Sequence, residues 1–113
     1  MKSPSIVPGQ ANVTMHVIEC RSNKVSFFRE RDSDRFGLRD TVDDILTGQV
    51  EDVARVYAFN LAEGWSRDVT EDVCRDVANR AANEGHEISR ELYELIENVC
   101  GIEMAQGLRI IGN

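Results

Sequence analysis

Residues 49–64, QVEDVARVYAFNLAEG, decide the predicted fold. Apolar side chains recur here with the spacing i, i+3, i+4, i+7, i+8 and i+11, which places them on one helical face; they are Val50, Val53, Ala54, Tyr57, Ala58 and Leu61. Phe59 falls on the opposite side of such a helix. A helix that is apolar on two sides is usually buried on two sides. The stretch therefore predicts a central helix ending at Gly64, with helices against one side and a small sheet covering Phe59 on the other.

The rest of the chain predicts a hairpin followed by further helices. Period-two alternation and turn residues predict two strands, whereas helical periodicity and capping residues predict the helices. The predicted elements are strands over 13–20 and 25–30 and helices over 40–47, 70–83 and 89–100, in addition to the central helix. The tail 107–111, GLRII, has strand character and could add a third strand to the hairpin. The predicted class is α+β: a small antiparallel β-hairpin packed on three or four helices.

Length and composition favour one globular domain. A chain of 113 residues with 42% hydrophobic residues can bury a core of useful size. We expect a single domain over 1–113, which divides into a loose leader over 1–10, a hairpin over 13–30, a helical body over 40–100 and an edge strand over 107–111. No apolar run has membrane-spanning length, and the three cysteines are an odd number without paired spacing. These features predict a cytoplasmic protein with free thiols and no membrane partner. The excess of Arg over Lys is common in GC-rich bacterial genomes and indicates a bacterial or phage source.

Acidic residues concentrate in the predicted helical body. The net charge is −7, and residues 40–103 carry sixteen acids against five arginines, whereas residues 1–30 carry four bases and two acids. Such a surface argues against direct nucleic-acid binding, because phosphate neutralisation requires Lys and Arg. It suits a protein partner with a basic surface, although an acidic surface that only confers solubility would have the same composition.

The acids of the last two predicted helices differ in their neighbours. In the first of these helices Arg75 follows Glu71 and Arg80 follows Asp76, each at the four-residue spacing of a helical ion pair. The last helix has four glutamates beside the single Arg90. We therefore predict a partner-binding surface that consists of Glu87, Glu91, Glu94, Glu97, Asp72 and Asp76, with Phe59 and Trp65 as apolar anchors.

One stretch is similar to a DNA-binding motif. Leu61–Ser66 resembles the turn of a helix-turn-helix, in which Gly64 closes one helix and Ser66 caps the next. The helix that would follow carries Asp68, Glu71, Asp72 and Asp76, which phosphates would repel. The alternative is an ordinary helical hairpin, in which Trp65 is a wedge between the helices.

Catalytic and metal-binding motifs are missing from the sequence. Neither His16 nor His86 belongs to a nucleophile or zinc motif, and there is no paired C-x-x-C or phosphate-binding glycine loop. The cysteines fall on predicted apolar faces, where a thiol behaves as a small hydrophobic group. We expect a non-enzymatic protein with no metal or cofactor.

The expected function is occlusion of a basic surface on a host nucleic-acid-processing complex, with carboxylates in place of phosphates. The profile is similar to that of many phage- or mobile-element-encoded inhibitors of host nucleases, including anti-CRISPR proteins, although no motif supports the similarity. The alternatives are a DNA-associated regulator or antitoxin, based on the turn at 64–66, and a small enzyme. A homodimer is compatible with the sequence.

Overall fold

The computed structural model describes residues 13–112, so the predicted leader over 1–10 lies outside the described residues. The elements are β1 (Thr14–Ser22), β2 (Val25–Phe28), a 3-10 turn (Ser33–Arg35), α1 (Leu38–Leu46), β3 (Val53–Asn60), β4 (Trp65–Asp68), α2 (Thr70–Glu84), α3 (Arg90–Cys100) and α4 (Ile102–Gln106). The strands form one antiparallel sheet in the order β2-β1-β3-β4. The predicted α+β class is confirmed.

The stretch 49–64 is central, but the predicted helix is wrong because the stretch forms strand β3. β3 lies between β1 and β4 in the sheet. Its side chains alternate in burial: Val56 and Ala58 are buried on the helix side, whereas Tyr57 and Phe59 are half-buried on the other side. Phe59 is therefore not covered by the hairpin, since it belongs to the same sheet. The predicted helical body over 40–100 is wrong for the same reason, because it contains β3 and β4.

The error has a physical cause. A sequence that is apolar on both sides fits a helix buried on two sides and a strand with two apolar faces equally well. Two of the residues in the helical stripe are the small alanines Ala54 and Ala58. Because alanine occurs on buried and exposed surfaces alike, these two positions do not distinguish the helical period of 3.6 from the strand period of two. The larger residues of the segment, Val53, Val56 and Phe59 among them, are β-branched or aromatic and pack well on a pleated surface.

The predicted hairpin is confirmed, but the predicted third strand is wrong. β1 and β2 are joined by Asn23 and Lys24, whose φ angles of +53° and +68° fit the two-residue turn that matches strand twist. The other side of β1 is occupied by β3. The tail instead reaches the α2–α3 connection, where Ile110 forms a parallel bridge with Ile88. The short α4, which the sequence did not predict, separates that tail from α3.

The helices cover one face of the sheet. The core joins Ile18 and Val56 of the sheet to Val73 and Val77 of α2 and Ile96 of α3. The helices predicted over 70–83 and 89–100 are confirmed as α2 and α3. Gly85 closes α2 with φ +65°, and the Ser89 hydroxyl accepts a hydrogen bond from the amide of Leu92 at 3.1 Å. Within residues 13–112 no helix combines the length and apolar content needed to cross a bilayer.

A buried ion pair fixes the connection between β2 and α1. The Arg31 guanidinium donates to the Asp44 carboxylate at 3.0 Å, to the His16 carbonyl at 2.7 Å and to the Thr41 hydroxyl at 3.1 Å. The side chains of Arg31 and Asp44 are only 5% and 8% exposed. This pair holds α1 against β1 and so positions one wall of the groove described next.

Candidate functional site

A groove of about 340 Å³ opens on the helix side of the molecule. Its walls are the end of α1, the α1–β3 connection, the α2–α3 connection and the first turns of α3. The lining residues are Ile45, Leu46, Thr47, Gly48, Val50, Glu51, Asp52, Val53, His86, Glu87, Ile88, Ser89, Glu91, Leu92, Leu95 and Ile111. We call this set the groove. Its volume is at the lower end of the range for ligand pockets, and its lining combines apolar and acidic groups.

The floor of the groove is apolar. Leu46, Val50, Ile88 and Leu92 belong to the buried core and show their outer surfaces to the groove. Ile111 stands at the edge and is 61% exposed. An apolar side chain of a partner that entered the groove would therefore be removed from water on several sides, which is favourable in proportion to the apolar area buried.

The rim of the groove is acidic. Glu51, Asp52, Glu87 and Glu91 are exposed carboxylates that line it, and no Lys or Arg is among the lining residues. Within residues 13–112, no base forms an ion pair with any of the four. Among the lining residues the one basic side chain is the imidazole of His86, whose Nδ1 lies 2.8 Å from the carbonyl oxygen of Glu87. Four uncompensated carboxylates beside an apolar floor favour a cationic partner.

Backbone hydrogen bonds hold the rim in place. The amide of Val50 donates to the carbonyl of Asp44 at 3.2 Å, and the amide of Arg21 donates to the carbonyl of Asp52 at 2.9 Å. On the opposite wall, the amide of Ile88 donates to the Arg109 carbonyl at 2.9 Å, and the Ile88 carbonyl accepts from Ile111 at 2.8 Å. The carboxylates are therefore presented from fixed backbone, which lowers the ordering cost of binding.

The structure does not bring the eight predicted site residues together. Glu87 and Glu91 line the groove. The remaining six lie elsewhere: Glu94 and Glu97 further along α3, Asp72 and Asp76 on α2, Phe59 on the far face of the sheet, and Trp65 at the start of β4.

The predicted ion pairs of α2 are half correct. Arg75 pairs with Glu71 at 2.7 Å, as the spacing predicts. The predicted pair of Arg80 with Asp76 is wrong, because Arg80 binds Asp43 on α1 at 2.9 Å and Glu84 at 3.4 Å. The partner on α1 could not be foreseen from spacing within one helix.

The predicted helix-turn-helix turn is a four-residue hairpin loop, 61–64, between strands β3 and β4. The amide of Gly64 donates to the Asn60 carbonyl at 2.8 Å, which reverses the chain from β3 into β4. The predicted wedge between helices is also wrong, because Trp65 lies on the edge strand β4. Its indole N–H donates to Glu63 at 2.7 Å, and the Arg67 guanidinium lies 4.7 Å from the ring centroid.

Sequence reasoning missed two of the four rim carboxylates. The predicted central helix places Glu51 and Asp52 in its first turn, where acidic residues are common. The available signal was the polar pair between Val50 and Val53, next to Gly48, which is typical of a connection. Asp52 has a φ of +60°, a conformation found in turns and not in a helix.

Two of the three thiols, those of Cys20 and Cys74, are buried in the core. Burial raises the pKa of Cys74 to about 12, so its nucleophilic thiolate is scarce at neutral pH. Cys20 is also buried, and the pKa of its thiol is raised for the same reason. Residues 13–112 contain no group of three or more His, Cys, Asp or Glu side chains placed to hold a metal ion.

Comparisons of the chain with protein-family models, curated proteins and solved structures found no match. The groove is therefore interpreted from its own geometry and charge.

Proposed function

We propose that this chain is a non-enzymatic binding protein whose groove takes a basic segment of a protein partner. One observation carries the proposal: four carboxylates without a paired base surround an apolar floor, on backbone that is already fixed. The complementary segment has an apolar side chain for the floor and Lys or Arg on both sides of it for the rim. Such a segment contacts both the apolar floor and the acidic rim, whereas a purely apolar segment suits only the floor and a purely cationic segment suits only the rim.

The charge of the whole chain supports the same class of partner. A net charge of −7 attracts a basic protein over a distance and accelerates its association, whereas it repels nucleic acid. In our proposal the protein acts in the cytosol by occupying a basic surface that a nucleic-acid-processing protein needs for its own ligand. Inhibition of a host nuclease by a phage or mobile element, in the manner of anti-CRISPR proteins, is the biological setting that this charge and size suggest.

The test compares two charge reversals on one helix. Glu91 lines the groove, whereas Glu94 is an exposed glutamate three residues further along α3 that does not line it. Glu91→Lys and Glu94→Lys change the net charge equally. A difference between their effects therefore distinguishes binding in the groove from attraction by the net charge of the protein. The probe is a fluorescent peptide with two leucines flanked on each side by two arginines, and the measurement is fluorescence anisotropy at two salt concentrations.

Glu91→Lys should weaken peptide binding by about ten-fold, because it places a cation at the rim, whereas Glu94→Lys should weaken it by about two-fold or less. Higher salt should weaken binding to the wild type. Ile111→Ser should also weaken binding, since it removes apolar surface at the edge without changing charge. Equal losses for the two lysine variants would show that the peptide responds to overall charge, and the groove would be rejected as the site.

A further inference from the structure

The sheet face opposite the helices is apolar at its centre. Cross-strand register places Val17 opposite Tyr57, Met15 opposite Phe59, and Glu19 opposite Phe28, so all six side chains share one face. The same cross-strand pairs place five polar residues on this face. They are Arg21, Ser26, Arg55, Ser66 and Asp68. We call this set the open face.

No helix of residues 13–112 packs its core residues against the open face. The helices pack on the other side of the sheet, and the five large apolar residues of the open face are not part of the hydrophobic core. Phe28 is 61% exposed, and its ring meets that of Tyr57 at a centroid distance of 6.2 Å with an interplanar angle of 64°. Antiparallel sheets with one solvated face usually place polar residues there, so an aromatic and aliphatic centre indicates a contact surface.

Each charged side chain of the open face has a polar partner on the same face, and its four charges sum to zero. The Tyr57 hydroxyl donates to the Glu19 carboxylate at 3.2 Å, and Arg55 pairs with Asp68 at 3.4 Å. Arg21 donates to the Ser26 hydroxyl at 3.1 Å. Two acids and two arginines leave this face without net charge on a chain whose net charge is −7. Two copies of the chain would repel one another through their acidic helices, but not through this face. A basic partner, conversely, gains no electrostatic advantage here.

The area of the face is that of a small interface. The four strands have nine, four, eight and four residues. Each residue occupies about 16 Å² of a sheet, from a rise of about 3.3 Å and a strand spacing of about 4.8 Å, which gives a flat area of roughly 400 Å². That area matches the larger apolar patches of monomeric proteins, and it lies below the roughly 800 Å² per partner of a stable complex. A contact through this face alone is therefore weak.

We propose that the open face is the interface for a second copy of this chain, packed sheet against sheet about a two-fold axis. Sheets that pack in this way interdigitate their side chains and cross at a small angle, which suits an apolar centre flanked by charges that sum to zero. The groove lies on the helix side, so both grooves of the dimer would remain accessible. The dimer does not depend on what the groove binds, and a failure of one proposal leaves the other standing.

Two adjacent phenylalanines provide a matched test. Phe27 and Phe28 are both exposed on β2, at 42% and 61%, but Phe27 is paired with the buried Cys20 and so lies on the helix side. The full-length wild type should shift from monomer towards dimer in sedimentation equilibrium between about 10 and 500 µM, as a small interface predicts. Phe28→Ser should raise the dimer dissociation constant at least about ten-fold, and Phe27→Ser by about two-fold or less.

Three outcomes would overturn the proposal. A wild type that stays monomeric at 500 µM would remove the interface. Equal effects of the two substitutions would indicate pairing through the exposed edge of β2 in place of the face. A measurement on the wild type covers the case in which a variant fails to fold: amide chemical shifts that change with concentration should belong to the open face on β1, β2 and β3, and changes confined to the groove would contradict the proposal.

Discussion

The substitution Asp44→Asn tests whether the buried ion pair holds α1 in place. Asp44 faces Arg31 at 3.0 Å and also pairs with Arg35, and the Arg31 and Asp44 side chains are almost fully buried. Removing the carboxylate charge leaves the Arg31 guanidinium buried without its counter-charge. Loss of one partner from a buried pair costs about 3–5 kcal/mol. Arg31 would keep the carbonyls of His16 and Arg35 and the hydroxyl of Thr41 as acceptors, so we expect the lower end, about 3 kcal/mol.

That loss is large for a domain of this size. Domains unfold with a free energy of about 5–15 kcal/mol, and with a urea dependence of about 1.5 kcal/mol per molar the midpoint should fall by about 2 M. The assay is urea denaturation followed by circular dichroism at 222 nm. The control is Asp43→Asn at the adjacent position, whose pair with Arg80 is partly exposed and should contribute little.

A double variant separates pairing from burial. Arg31→Met combined with Asp44→Asn should lose less stability than the two single changes added together, because no buried charge is left unpaired. Similar small losses for Asp44→Asn and Asp43→Asn would refute the reasoning, because they would mean that water reaches Arg31 and that α1 does not depend on the pair.

Three further predictions concern a histidine, a turn and the thiols. Burial lowers the pKa of His16, with Arg31 adding to the effect and the hydrogen bond to Phe36 opposing it. The stabilisation from neutral His16 is therefore fully present above pH 6.5 and is lost as the pH falls through the pKa of the folded state. Urea denaturation at pH 7.5 and at pH 5.5 should show a larger decrease in the free energy of unfolding for the wild type than for His16→Gln. Lys24→Gly should raise the free energy of unfolding by about 1 kcal/mol, since glycine accepts the positive φ without strain; an unchanged value would argue against the turn. A thiol reagent should label half-buried Cys100 first and reach buried Cys20 and Cys74 only on unfolding, and rapid labelling of more than one thiol would contradict this order.

Local signals predicted the helical half of the molecule well. Ser89 and Gly85 mark helix ends through hydrogen bonds and φ angles that depend on a few neighbouring residues, and the structure shows both. The first hairpin was likewise predictable, because Asn23 and Lys24 lie between two alternating segments. β4 was missed because its four residues, Trp65–Asp68, include one apolar side chain and show no period.

Long-range partners could not be predicted from the sequence. The groove depends on a connection that carries Glu51 and Asp52 and on a loop more than thirty residues later that carries Glu87. Arg31 lies in a connector of mixed charge, where the sequence predicts a solvated side chain, and only the folded chain brings it to Asp44 and to the carbonyl of His16. Charge counting found Glu87 and Glu91, but it gave the same weight to Glu94 and Glu97, which do not line the groove.

The two-sided apolar pattern of the central segment has a consequence for a strand as well as for a helix. An element that is apolar on two sides needs two covers, whether it is a helix or a strand, because exposed apolar surface is unfavourable in water. In the structure the helices cover the side that carries Val56 and Ala58. On the side that carries Tyr57 and Phe59, no helix of residues 13–112 joins the core, and the charges of that face sum to zero. A second copy of the same face provides apolar side chains and balanced charge in the required places, and this is why the two-sided pattern of the central segment supports a dimer.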